Sequence, residues 1–218
     1  MDENEKEIAG ARKVPDIIRR RMLRAMVAAP AMFATSGLLV GRWGRSAHAE
    51  PSLAPTKACA DDDDEPTESQ TEGPYFTPSS PKRTSLIEAG ITGTPLLLTG
   101  TVVTRSCRPV AGALVDFWQA DDAGQYDNAG YRLRGHQFTD AKGLYRLETI
   151  VPGLYPGRTR HIHVKVQAPT QRVLTTQLYF PGEARNARDG IYDADLLVTM
   201  AKPGLGGEAR FEFVLDLP

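Results

Sequence analysis

Histidine, cysteine and long apolar runs are what this chain has little of. Its 218 residues include four histidines and two cysteines. Two cysteines are too few for a disulfide-dense scaffold, so the fold must rest on an ordinary hydrophobic core, for which 41% hydrophobic residues suffice in one domain. The apolar stretch from Ala25 to Val40 is interrupted by Pro30, Ser36 and Gly37 and falls short of the ~20 apolar residues that a bilayer span needs. Basic excess is also missing. Of 26 basic and 27 acidic residues, nine and five fall in residues 1–49, leaving 17 basic against 22 acidic and no electrostatic footprint for a nucleic acid. No segment after residue 50 sustains a helical period for long, which argues against a helical architecture.

The first 49 residues have the features of an export signal. Arg19-Arg20-Arg21-Met22-Leu23-Arg24 precedes the weakly apolar stretch, and Ala47-His48-Ala49 offers small residues for cleavage. The arginine pair with its hydrophobic pair and following base resembles the twin-arginine signal of bacteria, so residues 1–49 are expected to direct export to the periplasm or exterior and to be removed. Residues 50–83 form an acidic and Pro-rich linker and arm. The run Asp61-Asp62-Asp63-Asp64-Glu65 lacks the glycine and spaced terminal glutamate of a calcium loop and is expected to be solvated. In an oxidising compartment Cys59 and Cys107 are expected to pair. Closing a loop of about 48 residues would stabilise the fold by roughly 4 kcal/mol in the chain-entropy model.

From residue 84 the chain changes character. Leu96 to Val103, Ala113 to Gln119, Leu144 to Ile150, His161 to Ala168, Val173 to Phe180 and Arg210 to Leu215 are short β-branched or aromatic segments between Gly, Pro, Asp and Asn turn signals. Ala113, Val115 and Phe117 alternate with Leu114, Asp116 and Trp118, the pattern of a strand with one face in a core. Gly143 after Thr139-Asp140-Ala141-Lys142 marks a turn, and residues 182–197 have room for a turn of helix inside a loop. The fold expected is mainly β: a two-sheet sandwich over residues 84–218 with short loops or helical turns, preceded by an extended arm.

His161-Ile162-His163 carries the chemistry. Alternate strand residues point to one face, about 6.6 Å apart, so the two imidazoles can converge on one ion. The spacing alone does not choose the ion. A cupin would have a Glu about four residues after the second histidine, where Lys165, Val166, Gln167 and Ala168 stand instead. A zinc or copper site would need His136 as a third ligand. Two tyrosines in turns, Tyr126 after Asp121-Asp122-Ala123-Gly124-Gln125 and Tyr155 in Pro152-Gly153-Leu154-Tyr155-Pro156-Gly157, are the more distinctive partners. Phenolates are hard anionic donors that favour a trivalent ion, and two of them with two neutral imidazoles and a hydroxide would leave a ferric centre uncharged.

Several motifs occur in an order similar to that of the intradiol ring-cleavage dioxygenases, the family of catechol 1,2-dioxygenase and protocatechuate 3,4-dioxygenase. They are Thr71-Glu72-Gly73-Pro74-Tyr75-Phe76, Ala113 to Gln119 with Gly124-Gln125-Tyr126, Arg134-Gly135 with Thr139 to Gly143, Pro152 to Arg158, His161-Ile162-His163 and Thr176 to Phe180. The resemblance implies a non-haem Fe(III) site held by Tyr126, Tyr155, His161 and His163, with Arg158 and Gln177 beside it. It implies a small aromatic diol and O2 as substrates: the diol binds through both oxygens, Tyr155 is displaced, and the ring opens between the two oxygen-bearing carbons to give a muconate-type diacid. Arg158 would stabilise charge on the attacked carbon, whereas Arg160 shares strand parity with Ile162 and should point away. Gln177 would orient the bound anion or the oxygen pocket. The Tyr155 to His161 interval is shorter than in the protocatechuate enzymes, and the chain looks closer to exported, single-domain members. Catechol, hydroxyquinol and protocatechuate remain open as substrates, as does the oligomeric state. A non-catalytic exported sandwich that binds metal, carbohydrate or a partner is the competing expectation.

Overall fold

The computed structural model describes residues 65–218. The expected signal at 1–49, the acidic run up to Asp64 and Cys59 lie outside the described residues; Cys107 is disulfide-bonded.

Among the described residues nine strands form two sheets. In chain order they are β1 Pro95–Thr104, β2 Leu114–Trp118, β3 Arg134–Phe138, β4 Leu144–Ile150, β5 His161–Gln167, β6 Leu174–Tyr179, β7 Thr199–Met200, β8 Gly207–Arg210 and β9 Phe213–Leu215. One sheet runs β3-β2-β5-β6, all antiparallel. The other runs β4-β1-β8-β7, with β9 also on β1. The alternation expected from the sequence decides which side of each strand enters the core. Val115 and Phe117 of β2, Ile162, Val164 and Val166 of β5 and Leu178 of β6 are fully buried with Leu98, Val102, Leu147, Ala209 and Phe213 of the second sheet. At about 25 cal/mol per Å² of apolar surface, this shared core is the main source of stability.

The segment Arg210–Leu215, expected as one strand, divides into β8 and β9. Both lie parallel to β1 in a single register, Thr99 opposite Arg210 and Val102 opposite Phe213, with the ladder interrupted between. The Phe211 carbonyl turns to accept from the Tyr145 hydroxyl at 2.8 Å and closes onto Gly100, where an added Cβ would lie 1.7 Å from it. Strand β3 and the short β7 were not among the expected segments. Two single-turn 3-10 helices, Asn186–Arg188 and Ala194–Leu196, occupy the loop where helical turns were expected.

The outer face of the four-stranded sheet is polar yet covered. Arg134, Trp118, His163 and Gln177 stand opposite one another across β3, β2, β5 and β6. Across them runs the arm. Thr176 Oγ1 and Gln177 Nε2 donate to the carbonyls of Glu68 and Thr71, Glu72 pairs with Lys165, Phe76 packs edge-on against Trp118 and Ser80 hydrogen-bonds Asp116. Gly73, at φ +71°, passes so close that a Cβ would sit 3.3 Å from the His163 ring. The arm therefore covers the polar face of this sheet.

Candidate metal centre

Strand parity sets His161 and His163 on this outer face, and the arm and loops leave them only 4% and 3% exposed. Their Nε2 atoms stand 3.2 Å apart, and the Tyr126 hydroxyl is 3.2 Å from His161 Nε2. His161 Nδ1 faces the Thr159 carbonyl at 2.7 Å. That bond fixes the proton on Nδ1 and leaves Nε2 as a lone pair aimed at the cluster. His163 stacks on Trp118 with ring centroids 4.8 Å apart and 4° between planes, and its buried Nδ1 has no hydrogen-bond partner.

Burial decides the protonation of all three groups. It pulls His161 down to about 4, with the nearby Arg158 charge adding to the effect and the Thr159 bond opposing it. His163 is driven well below its ordinary range by burial and then by His161, Arg158 and Arg134. Both imidazoles are therefore neutral donors at pH 7. Burial raises the Tyr126 phenol far above 10 even though Arg158 and Arg134 work the other way, so the phenolate needs a bound cation to exist at neutral pH. Two neutral imidazole nitrogens and a phenol oxygen at one point fit a metal that accepts mixed nitrogen and hard oxygen donors. Among the described residues no three His, Cys, Asp or Glu side chains gather, and the oxygen donor that meets the imidazoles is the Tyr126 phenol.

Tyr155 is brought close but outside this trio. Its hydroxyl hydrogen-bonds that of Tyr75 at 2.7 Å, and Tyr75 in turn stacks on Tyr126 with centroids 4.5 Å apart. The loops bearing Tyr126 and Tyr155 interlock by backbone. Gly153 N–H donates to the Asp121 carbonyl at 2.7 Å, and a Cβ on Gly153 would meet Gly124 N at 2.3 Å and Asp122 O at 2.5 Å. Gly124, at φ +80°, meets the Leu154 carbonyl just as closely. Glycine at these two positions lets the two phenols approach one another.

Arg158 and Gln177 come together beside the donors. Arg158 Nη2 donates to Gln177 Oε1 at 2.6 Å, while its Nε donates to Asp189 at 2.8 Å. Arg160 turns aside, as strand parity requires, to Glu183 and the Pro152 carbonyl. His136 is not part of the cluster: it lies on β3 with Nδ1 against the Ser80 carbonyl and hydroxyl. Trp118 and Arg134 fall within motifs of the resemblance without a role assigned to them, and Asp189 falls in none. Arg134 is 1% exposed and donates to the carbonyls of Tyr75 and Asp127, tying the arm to the Tyr126 loop. Asp189 lies 26 residues beyond His163, and no local motif announces it. Its carboxyl is pushed up by burial, but the amides of Thr159 and Ile191 and the Arg158 guanidinium outweigh that and hold it below its usual range. Tyr179, fully buried, donates to Gln70 and is pushed up to about 12 by burial.

Comparison with known proteins shows what the chain is similar to. Residues 71–216 match the family model described as "Dioxygenase". Hydroxyquinol 1,2-dioxygenase of Nocardioides simplex is 31% identical over 150 residues, 58% of this chain and 51% of that protein. The protocatechuate 3,4-dioxygenase beta chain of Burkholderia cepacia is 35% identical over 118 residues, 46% of this chain and 50% of that one. The chain thus spans about half the length of the curated relatives it matches. Among solved structures, the dioxygenase domain of a dioxygenase–carbohydrate-binding fusion from Streptomyces sp. SirexAA-E is 58% identical, with a TM-score of 0.68 covering 71% of this chain and 100% of that one. The 3-chlorocatechol 1,2-dioxygenase of Rhodococcus opacus 1CP is 29% identical, with a TM-score of 0.62 over 69% of this chain and 73% of that one. With its family model covering nearly all the described residues, the chain belongs to the intradiol ring-cleavage dioxygenases.

Proposed function

We propose that the protein is a non-haem Fe(III) dioxygenase that uses O2 to open a catechol-type ring between its two hydroxylated carbons, yielding a muconate-type diacid. The observation that carries this reading is the junction of Tyr126 Oη, His161 Nε2 and His163 Nε2 through 3.2 Å contacts, with both imidazoles neutral. Tyr126, Tyr155, His161 and His163 would hold the iron. Bound there, ferric iron would supply Lewis acidity toward the two diol oxygens and redox chemistry toward dioxygen.

The protein's own groups do the rest. Thr159 and the Trp118 stack hold the two imidazoles in place from behind. Tyr75 gives the Tyr155 hydroxyl a partner outside the trio, so Tyr155, released from the metal as a phenolate, would take a proton from the incoming diol and be held as the phenol by Tyr75. Arg158, held at two corners of its guanidinium, sets a fixed positive charge beside the site, where it stabilises negative charge that develops on the ring. Gln177, fixed between Arg158 and the Thr71 carbonyl, sets the orientation of that charge. The Pro74-Tyr75-Phe76 part of the arm keeps bulk water off the donors.

Relatives act, by their names, on hydroxyquinol, protocatechuate, catechol and chlorocatechol, so the diol is left at class level. Export through the twin-arginine-like signal of residues 1–49, with 50–83 as linker and arm and 84–218 as the catalytic sandwich, completes the proposal; its support is the Arg19-Arg20 motif and the Ala47-His48-Ala49 site. Metal analysis with a visible spectrum is the test, followed by oxygen uptake over a catechol panel. The purified protein should contain one iron per chain and be red-brown from phenolate-to-iron charge transfer, and Tyr126→Phe should abolish or strongly shift that band. A folded wild-type protein that takes up no iron and stays colourless would end this reading.

A further inference from the structure

We infer that Arg185 and Arg188 form an anion subsite beside the metal centre, which selects catechols carrying a carboxylate on a short tether. This rests on the function proposed above and names its substrate class. A cleft of about 420 Å³ opens between the Tyr155 turn and the 3-10 helix Asn186–Arg188, lined by Leu154, Gly157, Arg158, Arg185, Arg188 and Asp189 among others. Gly157 is an exposed lining residue, and a Cβ there would meet nothing within 4 Å, so that side of the cleft opens to solvent.

The charges in this cleft do not cancel. Asp189 is its only acidic lining residue, with a side chain 2% exposed and consumed by Arg158. The neighbouring carboxylate, Glu183, is taken by Arg160 at 2.8 Å. Among the described residues neither Arg185 nor Arg188 has an ion-pair partner, and both are exposed. Two uncompensated guanidiniums thus face one concave space, the arrangement that favours a carboxylate by charge and by paired N–H donors.

The position dictates where on the substrate the anion lies. Arg158 is a wall shared by the cleft and the donor cluster: its Nη2 donates to Gln177, which stands opposite His163 across β5 and β6, while the residue also lines the cleft. Arg185 also reaches back to the Tyr155 carbonyl at 3.4 Å. With Arg158 as the shared wall and Arg185 at the Tyr155 carbonyl, a ring bound at the donors would reach Arg185 and Arg188 with a substituent directed past Arg158. A carboxylate directly on the ring would face Arg158, whose guanidinium is already held by Asp189 and Gln177. One carried on a tether that passes Arg158 would reach Arg185 and Arg188.

The experiment compares catechol, protocatechuate and 3-(3,4-dihydroxyphenyl)propionate in oxygen uptake by wild type, R185Q, R188Q and the double variant, at low and at 1 M salt. The ratio of kcat/KM for the propionate to that for catechol should fall at least about fivefold in the double variant. In wild type the same ratio should fall on salt addition, because exposed charge pairs are screened. Calorimetric binding of 3-(3,4-dimethoxyphenyl)propionate, which cannot chelate, reads the cleft without any turnover. It should bind wild type and lose affinity in R185Q/R188Q. If no diol is turned over but this binding persists, the enzymatic reading has failed and the anion subsite stands. A propionate-to-catechol ratio and an anion affinity that are both unmoved by the double substitution would overturn the subsite.

Discussion

Removing the Asp189 side chain should damage stability and catalysis together, because one carboxylate holds two parts of the site. Asp189 Oδ2 accepts from Arg158 Nε and from the Thr159 amide, each at 2.8 Å, and Oδ1 accepts from the Ile191 amide at 3.1 Å. Thr159 in turn presents its carbonyl to His161 Nδ1. Asp189→Ala strips a mostly buried guanidinium of its counter-charge and leaves two amides without their acceptor. Breaking a buried pair from one side costs about 3–5 kcal/mol. The low end applies, about 3 kcal/mol, because 21% of the Arg158 side chain still sees solvent and Gln177 keeps one of its bonds. In a domain of this size that lowers Tm by roughly 6–12 °C. The pH dependence has a definite sign. The folded-state carboxyl is held below its unfolded value, so its contribution is complete above about pH 4 and disappears as pH falls through the depressed folded value. Scanning calorimetry of wild type and Asp189→Ala at pH 7 and at successively lower pH should therefore find a gap that narrows on acidification. With iron loaded, kcat should fall while the charge-transfer band shifts as His161 loses its anchor. A variant melting within 1 °C of wild type at pH 7, or a gap unchanged far below pH 4, would refute the reasoning.

Gly153→Ala should unseat the metal site while leaving the sandwich standing. Its Cβ would collide with three backbone atoms of the Tyr126 loop, at 2.3, 2.5 and 2.7 Å, so the loops must separate at a cost on the order of 2–3 kcal/mol. Circular dichroism should keep the strand signature as iron uptake drops, and full iron content would contradict the interlock. Acid should weaken the metal-free protein earlier than carboxylate titration predicts. His161 is held near 4 when folded against 6.5 when free, so stability is complete above 6.5 and drains as pH falls toward 4, by about 2 kcal/mol between pH 7 and pH 5 for this group alone. Urea unfolding at those two values measures it, and equal midpoints would exclude a buried neutral His161.

What could be read in the sequence is what repeats at short range. A period of two over Ala113 to Gln119 and His161 to Ala168 is a local property, imposed by the strand itself, and it put His161 and His163 on one face before any partner was known. Turn chemistry placed both tyrosines in loops for the same reason. The break between β8 and β9 could not be read, because Arg210 to Leu215 still alternates; what interrupts the ladder is the Tyr145 hydroxyl, 66 residues away in the chain. Asp189 was hidden in the same way, since its meaning lies wholly in Arg158 and Thr159, some thirty residues earlier. The arm shows the distinction most clearly. Thr71 to Phe76 carries no core-forming periodicity, and composition marks it only as extended, yet its backbone passes His163 and its Tyr75 ring lies on Tyr126. A residue that closes a site over a finished sheet need satisfy only the groups it covers. Such positions leave no periodic trace in the sequence, and they become visible only when the sheet beneath them is in place.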